Sequence, residues 1–148
     1  MDQESIVYGC IKDLPCGDDL DAMHRRRINR QSILTLPSSQ DDEWPFLCSE
    51  MFAVSGNDVF SGTYHSQIIH FGMSYKAIEY EWEAWIAKFE SLLRSMYWVD
   101  ATVHLETELS GKHTFRWDSP NNSFHSPDHG ELRVRCEWEH ESPFALKF

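Results

Sequence analysis

No two cysteines are spaced as CxxC, no apolar run approaches the ~20 residues of a membrane helix, and basic residues are scarce. Each absence excludes something. The four cysteines, Cys10, Cys16, Cys48 and Cys136, lie far apart, which argues against a zinc ribbon or a disulfide framework and for reduced core thiols. The polar, acidic start MDQES has none of the character of a signal peptide, so the expected location is cytoplasmic. Lys and Arg number 13 against 24 Asp and Glu, for a net charge of −11. A phosphate backbone repels such a chain, which argues against nucleic-acid binding. The same charge favours solubility and fast association with a basic partner.

Motifs for chemistry are missing as well. There is no GxSxG elbow to present a nucleophile and no HExxH pair to hold zinc. Ser110, Gly111 and Lys112 form an SGK without the rest of a phosphate-binding loop. His125 and His129 in HSPDH are four residues apart, but Pro127 stands between them and the composition is that of a loop. They read as ordinary loop histidines. His65 and His70 are an odd number apart, so a regular strand sends them to opposite faces. No cofactor is implied, and the chain does not read as an enzyme.

What is present is a chain of 148 residues with six Trp and nine Phe. That length suits one domain spanning 1–148. A chain of this size buries roughly 68–70% of its unfolded surface and needs no metal or disulfide to fold. Ser5–Ile11 is a β-rich run, apolar at nearly every position, which predicts a strand covered on both faces. Asp18 or Asp19 is placed to cap a short helix rich in Arg25, Arg26, Arg27 and Arg30. Its apolar positions are sparse, so a charged loop competes, with Ile33–Leu36 as a strand. Residues 46–54 read as a strand, 55–62 as a turn-rich connection, and 63–75 as a strand with Ile69, Phe71 and Met73 on one face.

Residues 77–97 give the clearest helix signal. Ile78, Trp82, Trp85, Ile86, Phe89, Leu92, Leu93 and Met96 recur at three- and four-residue steps. Glu79, Glu83, Glu90 and Arg94 lie opposite, with Glu90 and Arg94 in the favourable i,i+4 order. Beyond the helix, VHLETEL and KHTFRWD alternate strictly. Matching their faces selects a three-residue loop, 110–112, with Leu105 opposite Trp117, Thr107 opposite Phe115 and Glu106 opposite Arg116. Residues 119–130 read as a loop. ELRVRCEWE reads as a last strand, and the tail from Glu141 as an edge segment. The expected fold is α+β: a mainly antiparallel sheet against one long amphipathic helix, with a short N-terminal helix.

Two surfaces carry candidate function. The first is acidic and aromatic. Trp44 stands beside Asp41, Asp42 and Glu43 in a polar loop, an arrangement suited to anchoring in a basic groove. Glu79 and Glu83 on the outer helix face and Glu106 and Glu108 on the sheet extend it. The second is a polar set of His104, Glu106, Glu108 and Arg116, with Asp118 beside His104. It is able in principle to hold a metal or to act as acid and base, against the simpler reading of cross-strand ion pairs on a solvated face. An exposed edge strand used for self-association is a third possibility.

The block QIIHFGMSYKAIEYEWEAWIAKFESLLRSMYWVDATVHLETELSGKHTFRW (67–117) resembles the small acidic bacterial immunity proteins of toxin–immunity systems. That resemblance implies a compact cytosolic α+β protein that silences a cognate toxin or effector by binding it. It transfers no catalytic residue. The expected partner is an effector with a basic active-site cleft, which carboxylates and an aromatic would occlude. Neither nucleic acid nor membrane is an expected partner.

Overall fold

The computed structural model describes residues 4–13, 19–38, 40, 43–53, 67–108, 110–118, 124–127 and 133–137. Their centre is β1 (Glu4–Asp13), a run rich in Ile, Val and Tyr of the kind that packs well on a pleated surface. It pairs antiparallel with β3 (Gln67–Lys76) on one side and β4 (Asp100–Thr107) on the other. With β2 (Phe52–Ala53), β5 (Gly111–Asp118) and β6 (Arg133–Glu137) the sheet has six strands in the order β2-β3-β1-β4-β5-β6. Every pairing is antiparallel.

Alternation divides the sheet into two faces. Val7, Ile11, Ile69, Phe71, Tyr75, Val103, Leu105 and Trp117 are buried on one of them. Both helices, α1 (Asp19–Leu34) and α2 (Trp82–Arg94), cover that face. α2 lays down an aromatic layer. Trp82 stacks on Trp85, Trp85 on Phe89, and Phe89 meets Phe71 and Trp117. Burying one such ring contributes about 1.5–3 kcal/mol from area alone, so this layer is the main source of cohesion between helix and sheet.

α1 docks differently. Its inward side carries the buried polar residues Arg25, Arg26 and Asn29 beside Ala22 and Ile33. Arg25 donates from Nε and Nη2 to the two carboxylate oxygens of Asp13, itself buried at the end of β1. The guanidinium also lies 4.2 Å from the Phe124 ring centre and 5.1 Å from that of Tyr97. Asn29 donates to Gln67 on β3 and to the Tyr97 carbonyl, and accepts from the Tyr97 N–H. A helix held by polar anchors needs few apolar positions, which is why its pattern in the sequence is sparse.

Several expectations need correction. The N-terminal helix is not short: it runs 16 residues and takes in Ile33 and Leu34, so no strand lies at 33–36. The long helix is not continuous over 77–97. Ala77 adopts a left-handed conformation at φ 48°, Ile78–Glu81 form a tighter 3-10 turn, and α2 itself ends at Arg94. The segment 46–54 is mostly not strand: Ser49–Met51 is a 3-10 turn and only Phe52 and Ala53 pair. β1 is not closed on both faces, because Ile6 on its second face remains 39% exposed. Residues 54–66, 119–123 and 138–148, which hold part of the expected connections and tail, lie outside the described residues.

The β4–β5 hairpin keeps the expected three-residue loop and the expected faces, but two residues earlier. Thr107 pairs with Gly111, so the loop is 108–110. Leu105 then faces His113, Val103 faces Phe115, and Ala101 faces Trp117. An even shift preserves which side chains are buried. The glycine sets the choice: Gly111 has φ 78°, and this register puts it immediately after the loop rather than in its middle. Thr107 Oγ1 fastens the turn by accepting from the Ser110 N–H at 2.8 Å.

Candidate partner-binding end of the sheet

The register gathers most of the acidic candidates at one end of the molecule, where β1 begins and β3 and β4 finish. Ser5 lies between Tyr75 of β3 and Thr107 of β4. Its hydroxyl donates to Glu79. The neighbouring Glu4 N–H donates to the Glu108 carboxylate at 3.3 Å. Four residues along, on the open face, the Tyr8 hydroxyl donates to Glu106 at 3.2 Å. Three acids far apart in the chain therefore share the first five residues of β1 as their donors. Glu83 stands one helical turn beyond Glu79 and is exposed.

Two exposed aromatics accompany these carboxylates. Tyr80, between Glu79 and Glu81, is 72% exposed, and nothing in the helical periodicity of the sequence singles it out. The left-handed turn at Ala77 and the 3-10 segment after it bring it outward. Trp44 is 43% exposed. It packs edge-on against Phe46 and against Tyr75, the residue opposite Ser5. The Tyr75 hydroxyl, in turn, donates to the Phe46 carbonyl and accepts from the Trp85 indole. Trp44 is thus half a core residue and half an exposed ring, and it sits at this same end. Glu43 beside it is exposed, while its main-chain carbonyl accepts from Lys88 at 2.7 Å. Asp41 and Asp42 lie outside the described residues.

The acids are not equivalent. Glu106 faces Lys112 across the hairpin. Burial, and then the adjacent Glu106 charge, push the Tyr8 hydroxyl above its ordinary pKa, so it stays protonated and keeps donating. Glu106 is thereby tied into the sheet face. Among the described residues, Glu4, Glu43, Glu81, Glu83 and Glu108 are exposed carboxylates.

The polar set proposed for chemistry is dispersed by the same register. His104 faces Thr114, whose hydroxyl is 2.9 Å from Nδ1, and its ring lies 4.9 Å from that of Tyr8. Arg116 is opposite Thr102, not Glu106, and Asp118 is opposite Asp100, not beside His104. Glu108 lies past the end of β4, against the start of β1. Only His104 and Glu106 remain neighbours on one strand face. Among the described residues no three His, Cys, Asp or Glu side chains group closely enough to hold a metal ion.

His125 also departs from expectation. It is a buried residue, not an ordinary loop histidine: its ring stacks on Trp98 at 5.0 Å and its backbone bridges Trp98 in both directions. Its sequence setting, among Ser, Asn and Pro, carried no signal of this. No helix of the described residues is long and apolar enough to cross a membrane. No family model, no curated protein and no solved structure matches the chain.

Proposed function

We propose that this chain is a non-enzymatic binding protein that neutralises a cognate bacterial toxin or effector, using the acidic end of its sheet to occlude a basic active-site cleft. The observation that carries the reading is the convergence of Glu79, Glu106 and Glu108 on the first residues of β1, with Tyr80 and Trp44 exposed beside them. An exposed ring set among carboxylates combines the two elements that a basic cleft selects: a desolvated anchor and long-range charge attraction. Hydrogen bonds from β1 hold Glu79 and Glu108 in place, so less side-chain freedom is lost on binding.

Roles within the surface follow from burial. Tyr80, Glu83 and Glu108 are exposed and act as direct contacts, with Glu43 and Trp44 as a flanking contact. Glu79 and Glu106 position the surface and add charge. Asp41 and Asp42 belong to the same proposal through their adjacency to Glu43.

The test is inhibition in trans. The chain is used as bait against the product of the neighbouring gene, and any retained domain is assayed for toxic activity. The wild-type chain is expected to retain a basic domain in 1:1 ratio and to abolish its activity. A folded Tyr80→Ala/Glu83→Lys/Glu108→Lys variant is expected to lose both. Equal retention and inhibition by the variant would remove this end of the sheet from the account.

A further inference from the structure

The helix layer carries a groove whose charge is opposite to that of the molecule. It has two lobes between α1 and α2, of about 520 Å³ and about 420 Å³, with Ser91 and Ser95 lining both. The basic residues among its described lining are His24 and Arg94 in the larger lobe and Lys88 in the smaller. No carboxylate is among the described lining residues, although the chain has 24 acids against 13 Lys and Arg.

The i,i+4 partner expected for Arg94 is turned away, because Glu90 accepts from the Trp117 indole at 2.9 Å. Arg94 makes no ion pair among the described residues. Lys88 donates to the carbonyls of Glu43 and Pro45.

Two of the carbonyls at the end of α2, which would otherwise repel an anion, are already taken. That of Leu92 accepts from Ser95, and that of Leu93 from the Trp98 indole. Ser32 donates to the Ser95 carbonyl, and Asn29 to that of Tyr97. Ile28 and Pro127 give the larger lobe apolar walls, and Leu36 and Leu47 do so for the smaller. Volumes of this order suit a small ligand.

We propose that this groove binds a small molecule carrying an oxyanion, phosphate or carboxylate, on an apolar body. Arg94 and His24 take the oxyanion, with the guanidinium offering paired N–H donors that match two oxygens. The body lies against Ile28 and Pro127. The larger lobe, which holds Arg94 and His24, shares no lining residue with the acidic end of the sheet, so either assignment can fail alone.

The test uses the full chain labelled with ¹⁵N and titrated with phenyl phosphate, benzoate and neutral benzyl alcohol. Both anions are expected to give saturable shifts at the amides of Ser91, Arg94 and Ser95. Dissociation constants on the order of millimolar are expected, as befits one or two charged contacts. Benzyl alcohol is expected to bind at least about tenfold more weakly, the cost of losing one charge-assisted contact. Arg94→Glu and the milder Arg94→Gln are both expected to weaken the anions. Arg27→Glu, on an exposed α1 position outside the groove, is expected to leave them unchanged. Lack of saturation, equal binding of benzyl alcohol, or equal losses from Arg27→Glu and Arg94→Glu would each overturn the proposal. Phosphate binding without benzoate, or the reverse, would narrow the ligand to one oxyanion and still support it.

Discussion

His125 is 2% exposed, with Nδ1 3.0 Å from the Met96 carbonyl. Burial lowers its pKa below the ordinary 6.5; the hydrogen bond to Met96 opposes that shift, and nearby Arg94 adds to it. The folded protein therefore prefers the neutral ring, whereas the unfolded chain takes up a proton near 6.5. Stability from this residue is complete above that value and is lost as pH falls below it towards the folded pKa. Unfolding free energy is expected to drop between pH 7 and 5, with a slope of at most about 1.4 kcal/mol per pH unit from this one proton. His125→Phe keeps a ring on Trp98 and should flatten that slope while lowering stability at pH 7. Denaturant titrations at several pH values decide it, and an unchanged slope would acquit His125. Gly9 supplies a second case. A Cβ there would stand 1.9 Å from the Thr102 carbonyl oxygen and 3.0 Å from the Phe71 ring. Because the first obstacle is main chain in the centre of the sheet, Gly9→Ala should cost about 3 kcal/mol or more. A thermal melt within about 2 °C of wild type would show that the strands part easily.

α1 and α2 show two ways of attaching a helix, and they explain what was legible in the sequence. α2 docks through apolar rings, so its periodicity was plain. α1 docks through Asp13–Arg25 and Asn29–Gln67, contacts between residues far apart in sequence that hydrophobic periodicity does not record. The faces of β3, β4 and β5 were legible because one side of each is buried. The exact hairpin register was not, because two registers that share face parity bury the same side chains and differ only in where Gly111 falls. Glu79 and Glu108 were both legible as candidate surface acids, although Glu79 is half-buried, but their common anchorage on β1 depends on strand order. The burial of Arg25 also makes a prediction. Asp13→Asn leaves its guanidinium buried beside a neutral partner, with only the half-exposed Asp21 at 3.7 Å to offset its charge, and removing one member of such a buried pair costs about 3–5 kcal/mol. Equilibrium unfolding in urea measures this. A loss below about 1 kcal/mol would mean that α1 is held by its other contacts.

The molecule as a whole has a net charge of −11, and its described carboxylates are not evenly placed. Glu4, Glu79, Glu81, Glu83, Glu106 and Glu108 crowd one end, while the helix groove is lined by His24, Lys88 and Arg94. A separation of charge of this kind orients an approaching basic partner before contact, and the effect fades once salt screens it. The central claim is that the acidic end of the sheet receives the toxin. Its most direct test is the association rate constant of the toxin domain with wild type and with Glu83→Lys/Glu108→Lys, measured by stopped flow at low and high salt. Both substitutions fall on exposed side chains, so the fold should persist. Association is expected to be at least about tenfold slower for the variant near 50 mM salt, with the gap closing near 500 mM as screening removes the steering. Equal rates at low salt, with the variant folded, would contradict it.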